Sequence, residues 1–172
     1  FGECVNDSNT YPAYLEQMIP GSQVINSGVH GWGHDQMLLR LQQEGRHYKP
    51  DVVLLGCFNA DLVRNHLRFR DYAKPFYVLE NDSLLLKGVP VPSPEQLLSG
   101  FRPKLFDFIS SKIAFLFDEV TAADEDILSE RILVQLIHEC RELNAVPVFV
   151  YLPWKDECLT GKSAPSKVFR DV

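Results

Sequence analysis

The stretch Asp51-Val52-Val53-Leu54-Leu55-Gly56-Cys57-Phe58 is apolar at nearly every position. Such a continuous run is typical of a strand in a parallel sheet, where helices cover both faces. Residues 146–152 have a similar composition, and we expect Pro147 at the beginning of that strand because proline has no backbone N–H to donate. Residues 23–26 form a shorter run that also predicts a strand. Together these runs predict a parallel sheet.

Segments with helical spacing alternate with these strands. Residues 11–18 follow Thr10, a residue type that often caps helices. Residues 34–44 carry an apolar stripe and are followed by Gly45, and a glycine is the usual residue after a helix. Two further stretches have apolar residues at helical spacing, 105–117 and 128–143. This order of elements predicts the α/β class.

The length and composition favour one domain over residues 1–172. The chain is 45% hydrophobic and has a net charge of -6, so it lacks the basic surface that nucleic acid binding needs. No apolar run approaches the roughly 18 residues of a membrane helix, so we expect no membrane segment in these residues. Residues 77–88 have two apolar runs around a polar tip, which predicts a β-hairpin inserted into the alternation.

The loop after the first predicted strand contains three glycines, Gly28, Gly31 and Gly33. Ligands collect at the carboxyl ends of parallel strands, and glycines let backbone amides approach them closely. The order G-x-x-G-x-G differs from the G-x-G-x-x-G of dinucleotide sites, and no acidic residue follows at the end of a second strand. An oxyanion hole, in which amides meet the charge on a reacting carbonyl oxygen, is the alternative use of such a loop.

Several parts of the chain resemble a known family. Several segments look like successive blocks of the SGNH (GDSL-type) hydrolase superfamily, in its order and spacing: 1–3, 10–12, 24–36 and 48–53. The resemblance covers essentially the whole chain. It implies a three-layer α/β/α sandwich, flavodoxin-like, with a mainly parallel sheet. It also implies serine-dependent hydrolysis or transfer of an acyl ester of a small molecule, carbohydrate or lipid, with no metal or organic cofactor.

The resemblance assigns two residues to an oxyanion hole. Gly31 corresponds to the glycine of the family's second block, whose N–H donates to the oxyanion. The third block has an asparagine followed directly by an aspartate, whereas here Ala60 separates Asn59 from Asp61. Either Ala60 occupies the asparagine position and one donor is lost, or the loop shifts by one residue and Asn59 supplies the donor. We favour Asn59, because loops tolerate such a shift better than strands do.

The other two blocks of the family are not in this sequence. By resemblance, the Gly-Asp-Ser block with the nucleophile would precede Phe1, and the Asp-x-x-His block with the base would follow Val172. None of the five histidines has an aspartate three residues before it. We therefore expect residues 1–172 to be the middle of such a domain, incomplete at both ends and inactive as an esterase alone. The alternatives are a non-catalytic relative that binds acylated glycans, and a flavodoxin-like nucleotide or flavin binder.

Three residues are candidates for substrate binding. Arg64 and Arg68 begin a basic stretch interleaved with aromatic residues, which extends to Lys74. A stretch of this kind is more often a solvated lid surface; the functional hypothesis is that it borders the substrate cleft, where its cations or rings meet sugar or acyl-carboxylate groups. His30, in the glycine-bearing loop, either lines the mouth of the substrate cleft or is a solvated loop residue. His30 and His34 have no third clustered ligand, so no metal site is predicted.

Overall fold

A computed structural model describes residues 4–70, 73–93, 95 and 122–172. These residues fall into two units, one ending at Trp32 and the other beginning at Gly33. The first unit contains a short 3-10 helix, Asp7–Asn9, and helix α1, Tyr11–Met18. Helix α1 begins directly after Thr10, as predicted, but the Thr10 hydroxyl donates to the carbonyl oxygen of Asp7 at 2.8 Å instead of capping the helix.

The strand predicted over residues 23–26 is wrong. The backbone there belongs to no strand, and the Val24 N–H donates to the Glu16 carboxylate at 2.9 Å. Ile25, the most apolar residue of the run, is 48% exposed. A strand needs a partner for its backbone groups and a buried face for its side chains, and this short run has neither within its own unit.

The second unit is mixed α/β. In chain order its elements are α2 (His34–Tyr48), β1 (Val52–Cys57), α3 (Asn59–Arg64), β2 (Phe76–Glu80), β3 (Ser83–Lys87), α4 (Ala122–Glu142), β4 (Val146–Tyr151), α5 (Lys155–Thr160) and α6 (Lys167–Asp171). Strands β1 and β4 pair in parallel, with Val53 opposite Pro147 and Cys57 opposite Tyr151. The two apolar runs predicted as strands are therefore confirmed, and they are neighbours. Strands β2 and β3 form an antiparallel hairpin.

The core lies on one face of the parallel pair. Alternate residues of β1 face it, and Leu55 is buried in the same cluster as Leu38 of α2 and Leu136 of α4. The predicted stripe over 128–143 is confirmed, because its buried members recur every fourth residue along α4: Leu128, Ile132, Leu136 and Cys140. On the opposite face of β1, Val52 is 51% and Leu54 37% exposed.

The sequence predicts that helix α2 ends at Gly45, but the helix continues to Tyr48. A Cβ on Gly45 would stand 2.8 Å from Leu143 Cδ1 and 2.9 Å from Leu41 Cδ1. A side chain at this position would crowd Leu41 of the same helix and Leu143 just after the end of α4, so the glycine lies at a point of close packing within the helix. The chain leaves the helix at Lys49, which has a left-handed backbone and donates its N–H to Gly45 O at 3.2 Å.

The apolar stripe predicted over 105–117 lies outside the described residues. Within the ranges that the structure describes, no helix combines the length and the apolar character needed to cross a membrane.

Candidate functional site

The carboxyl ends of β1 and β4 lie side by side, since Cys57 is in register with Tyr151. The chain leaves β1 through Phe58 into α3, and it leaves β4 through a short turn into α5. Side chains from both connections therefore meet at one edge of the sheet. This is the edge at which α/β proteins collect their ligands, so it is the candidate site of the second unit.

Asn59, a predicted oxyanion donor, is the first residue of α3 and lies at this edge. Its Nδ2 donates to the Tyr151 hydroxyl at 3.1 Å and to the Ala164 carbonyl oxygen at 3.0 Å. Its Oδ1 accepts the Ser166 N–H at 3.0 Å. Both amide hydrogens thus have protein acceptors, and an oxyanion would have to replace one of them. As the structure stands, Asn59 fastens residues 164–166 to the start of α3.

Glu157 extends this arrangement into a network. Its carboxylate accepts the Tyr151 hydroxyl at 3.0 Å, the Trp154 N–H at 2.6 Å and the Ala164 N–H at 2.7 Å. The pKa of Glu157 is lowered, chiefly because its carboxylate accepts the hydrogen bond from the Trp154 N–H. Hydrogen bonds therefore connect Asn59 to Tyr151 and Tyr151 to Glu157. We call these three hydrogen-bonded residues the edge network. It fixes the orientation of the Asn59 amide, because each polar atom has a distinct partner.

Two aromatic rings and a cation border the edge network. The Phe58 and Trp154 ring centroids are 4.4 Å apart, and the Arg64 guanidinium carbon is 5.9 Å from the centroid of Phe58. Trp154 is nevertheless 50% exposed. Sequence reasoning missed Trp154, although its position two residues after the apolar run 146–152 was a signal that could have identified it.

Arg64, a predicted substrate contact, forms an ion pair with Asp61 one turn earlier on α3. Burial raises the pKa of Asp61 to about 6, and the charge of Arg64 opposes that increase. The structure places Arg64 close to the carboxyl edge, through its contact with Phe58. Arg68, the other predicted contact, lies over the Phe76 ring of the hairpin, with its guanidinium carbon 5.1 Å from the ring centroid.

The N-terminal end of α2 contains a buried polar cluster that sequence reasoning did not foresee. Asp35 forms an ion pair with Lys74, and its N–H donates to Asn65 Oδ1 at 3.2 Å. Asn65 Nδ2 in turn donates to Ser129 Oγ of α4 at 3.0 Å. Burial raises the pKa of Asp35 and lowers that of Lys74, while their attraction opposes both changes. Lys74, the end of the basic stretch, is therefore a structural residue.

His34 belongs to the same buried region. Its ring packs edge-on against Phe169 with 5.5 Å between centroids, and neither ring nitrogen has a hydrogen-bond partner among the described residues. Burial, helped by the nearby charge of Arg64, lowers the pKa of His34 to about 4. The imidazole is therefore neutral at pH 7. In the described part of the chain, no three His, Cys, Asp or Glu side chains form a group that could hold a metal ion.

Gly31 and His30 lie in the first unit. The Trp32 N–H donates to Val29 O at 3.5 Å and closes a turn, in which Gly31 is the third residue with φ 78°. A glycine is the residue that adopts this left-handed conformation without strain. The turn's own hydrogen bond does not use the Gly31 N–H. His30, the residue before it, is exposed.

Comparison of the chain with models of protein families, with curated proteins and with solved structures finds no match.

Proposed function

We propose that residues 1–172 are the middle part of an SGNH-type hydrolase domain that cleaves or transfers an acyl ester. The supporting observation is the position of Asn59, which presents a side-chain amide at the carboxyl edge of the parallel pair β1 and β4. This is where an oxyanion donor of such an enzyme has to lie. The family resemblance assigns the second donor to Gly31, whose N–H is not used by the hydrogen bond of its own turn.

In the proposed reaction, a serine hydroxyl attacks the ester carbonyl while a histidine accepts its proton. The carbonyl π electrons move to oxygen, and the tetrahedral oxyanion accepts a hydrogen bond from Asn59 Nδ2; the resemblance assigns the second donor to the Gly31 N–H. The alcohol then leaves with the proton, and water or an acceptor hydroxyl releases the acyl group. By resemblance, the serine and histidine belong to blocks outside residues 1–172. Asn59 takes part when the oxyanion replaces one of its present acceptors, Tyr151 or Ala164.

We also propose that the fold is a three-layer sandwich. A parallel sheet is normally covered on both faces, and the described helices α2 and α4 pack into the core on one face. We assign the second helical layer of a three-layer sandwich to the face that bears Val52 and Leu54. In this architecture the β2–β3 hairpin, which stands between α3 and α4 in the chain, is an insertion.

The substrate contacts follow from the same architecture. Arg64 lies beside Phe58, next to the candidate site. Arg68 lies over the ring of Phe76, a residue of the hairpin. We assign these two cations to the border of the substrate cleft. There they would bind the alcohol portion of the ester.

A non-catalytic binding module is the second candidate function. The engaged amide of Asn59 favours it, because a donor that is already bonded to two protein oxygens stabilises an oxyanion less readily. The insertion of Ala60 between Asn59 and Asp61 points in the same direction. Such a module would hold an acyl ester at the same edge without turnover.

Kinetics of the full-length protein that contains residues 1–172 separate the two functions. With p-nitrophenyl acetate, Asn59→Ala is expected to lower kcat about 100-fold with little change in KM, as loss of one oxyanion donor does. Tyr151→Phe is the matched control, because it removes one acceptor of Asn59 and leaves the donor in place. It should retain activity. No hydrolysis by the parent protein would favour the binding module, and equal losses in both variants would show that Asn59 acts only through the edge network.

A further inference from the structure

Trp154 and Phe58 form an exposed aromatic surface whose position is fixed by its neighbours. The Trp154 N–H donates to Glu157 at 2.6 Å, and its carbonyl oxygen accepts the Cys158 N–H at 3.0 Å. The indole rests against the Phe58 ring, with 4.4 Å between centroids. Half of Trp154 is still exposed, at 50%.

This combination is unusual for a surface residue. Fixing a large side chain costs conformational entropy, and burial normally offsets that cost. Here the backbone and one side of the ring are held while the other side stays in water. A rigid, amphipathic aromatic side chain that is half exposed is the kind of group that proteins use to bind ligands.

The charges around the surface indicate the kind of ligand. Acidic and basic groups are mixed there: Arg64 lies against the Phe58 ring, and Lys155, Asp156 and Glu157 directly follow Trp154. Arg64 is paired with Asp61, and Lys155 is followed directly by Asp156. This composition has no excess of cations to attract an anionic ligand. It also breaks the continuous apolar lining that a long acyl chain needs.

We propose that Trp154, backed by Phe58, stacks on the C–H face of a neutral pyranose ring, the saccharide portion of the substrate. A pyranose has an apolar face of C–H groups and a rim of hydroxyls. The face would cover the exposed side of the indole, and the hydroxyls would meet the mixed charges at the border. The inference rests on the proposed function for the identity of the reacting ester, but the saccharide contact itself needs no turnover.

Fluorescence titration tests the contact directly. Residues 1–172 contain two tryptophans, so Trp32→Phe leaves Trp154 as the sole indole of this part of the protein. Cellohexaose and xylohexaose are the probes, with hexagalacturonate for an anionic sugar and decanoate for an acyl chain. We expect a saturable change in Trp154 emission with a neutral hexasaccharide. Calorimetry should then show binding weakened about tenfold by Trp154→Ala, which corresponds to about 1.4 kcal/mol.

Two further variants guard against a change in folding. Trp154→Phe keeps a smaller ring and should bind with intermediate affinity, whereas Leu159→Ala removes an exposed apolar side chain of the same segment and should bind like the parent. No saturable change with either neutral hexasaccharide, or a response to decanoate or hexagalacturonate alone, would overturn the inference. Hydrolysis of p-nitrophenyl acetate by the full-length protein reports on the proposed function separately, because that ester has no sugar.

Discussion

His34 should make the folded protein sensitive to acid. Its ring is fully buried, and its pKa falls from 6.5 to about 4 on folding. Between pH 6.5 and about 4, His34 is therefore protonated in the unfolded chain but neutral in the folded chain. The contribution of His34 to stability is complete above pH 6.5 and is lost as the pH falls toward 4. At about 1.4 kcal/mol per pH unit, this loss amounts to about 3 kcal/mol.

Asp61 has the opposite effect over nearly the same interval. Burial raises its pKa from 3.8 to about 6, so the folded chain binds a proton more readily than the unfolded chain does. Its contribution to stability is complete below pH 3.8 and is lost as the pH rises through 6, again about 3 kcal/mol. Asp35, whose pKa is also raised, acts in the same direction as Asp61. In the parent protein, His34 and Asp61 therefore largely cancel between pH 4 and 6.

Two variants separate these effects. His34→Leu removes the acid-sensitive group, so the free energy of unfolding should increase as the pH falls from 7 to 4.5. Asp61→Asn removes the compensating group, so the same change in pH should lower its stability more steeply than that of the parent. Urea denaturation at a series of pH values measures both slopes, and the slope is informative even if a substitution shifts the overall stability. Parallel pH profiles for the three proteins would refute the assignment of these pKa changes to burial.

Three other substitutions have definite expected outcomes. Asn59→Ala should destabilise the chain by about 1–3 kcal/mol and speed amide hydrogen exchange at Ser166, because it removes the acceptor of that N–H. Gly45→Ala should cost no more than about 1 kcal/mol in chemical denaturation, because crowding of the Leu41 and Leu143 methyls is offset in part by the roughly 1 kcal/mol better helix propensity of alanine. Lys74→Met should cost about 3–5 kcal/mol, because it leaves the buried carboxylate of Asp35 without its partner.

Each of these substitutions has a control. In Asn59→Ala, amide hydrogen exchange in α2 should become faster only by the amount that the lower global stability accounts for. Gln43→Ala, in the same helix, should have an effect within about 0.5 kcal/mol. Adding Asp35→Leu to Lys74→Met should recover much of the lost stability. A double variant no more stable than the single one would mean that the ion pair is not the reason for the loss.

The sequence was informative where local pattern and tertiary packing agree. Residues 51–58 and 146–152 are continuous apolar runs because both strands supply the core, and the stripe of α4 recurs because one side of that helix is buried. The short run at 23–26 failed because two or three apolar residues cannot specify a strand without a partner. Gly45 misled because a glycine can end a helix or admit a neighbouring side chain, and the presence of Leu143 decides between the two.

The site was less predictable for a physical reason. The three hydrogen bonds of Asn59 join it to residues more than 90 positions away, so neither its partners nor its engaged amide can be inferred from neighbouring residues. The ion pair of Asp35 and Lys74 likewise spans 39 positions. Arg64 was singled out as the start of a basic stretch, but its pairing with Asp61 depends on α3 being a helix, which places the two side chains one turn apart.

Labelling with a fluorophosphonate probe tests the central proposal most directly, because the reagent reacts covalently with an activated serine. In the full-length protein that contains residues 1–172, the account predicts one labelled serine, located by peptide mass spectrometry upstream of Phe1 and protected by an excess of an ester substrate. Residues 1–172 alone should take up no label. Labelling of a serine within these residues, or none in the full-length protein, would contradict the account.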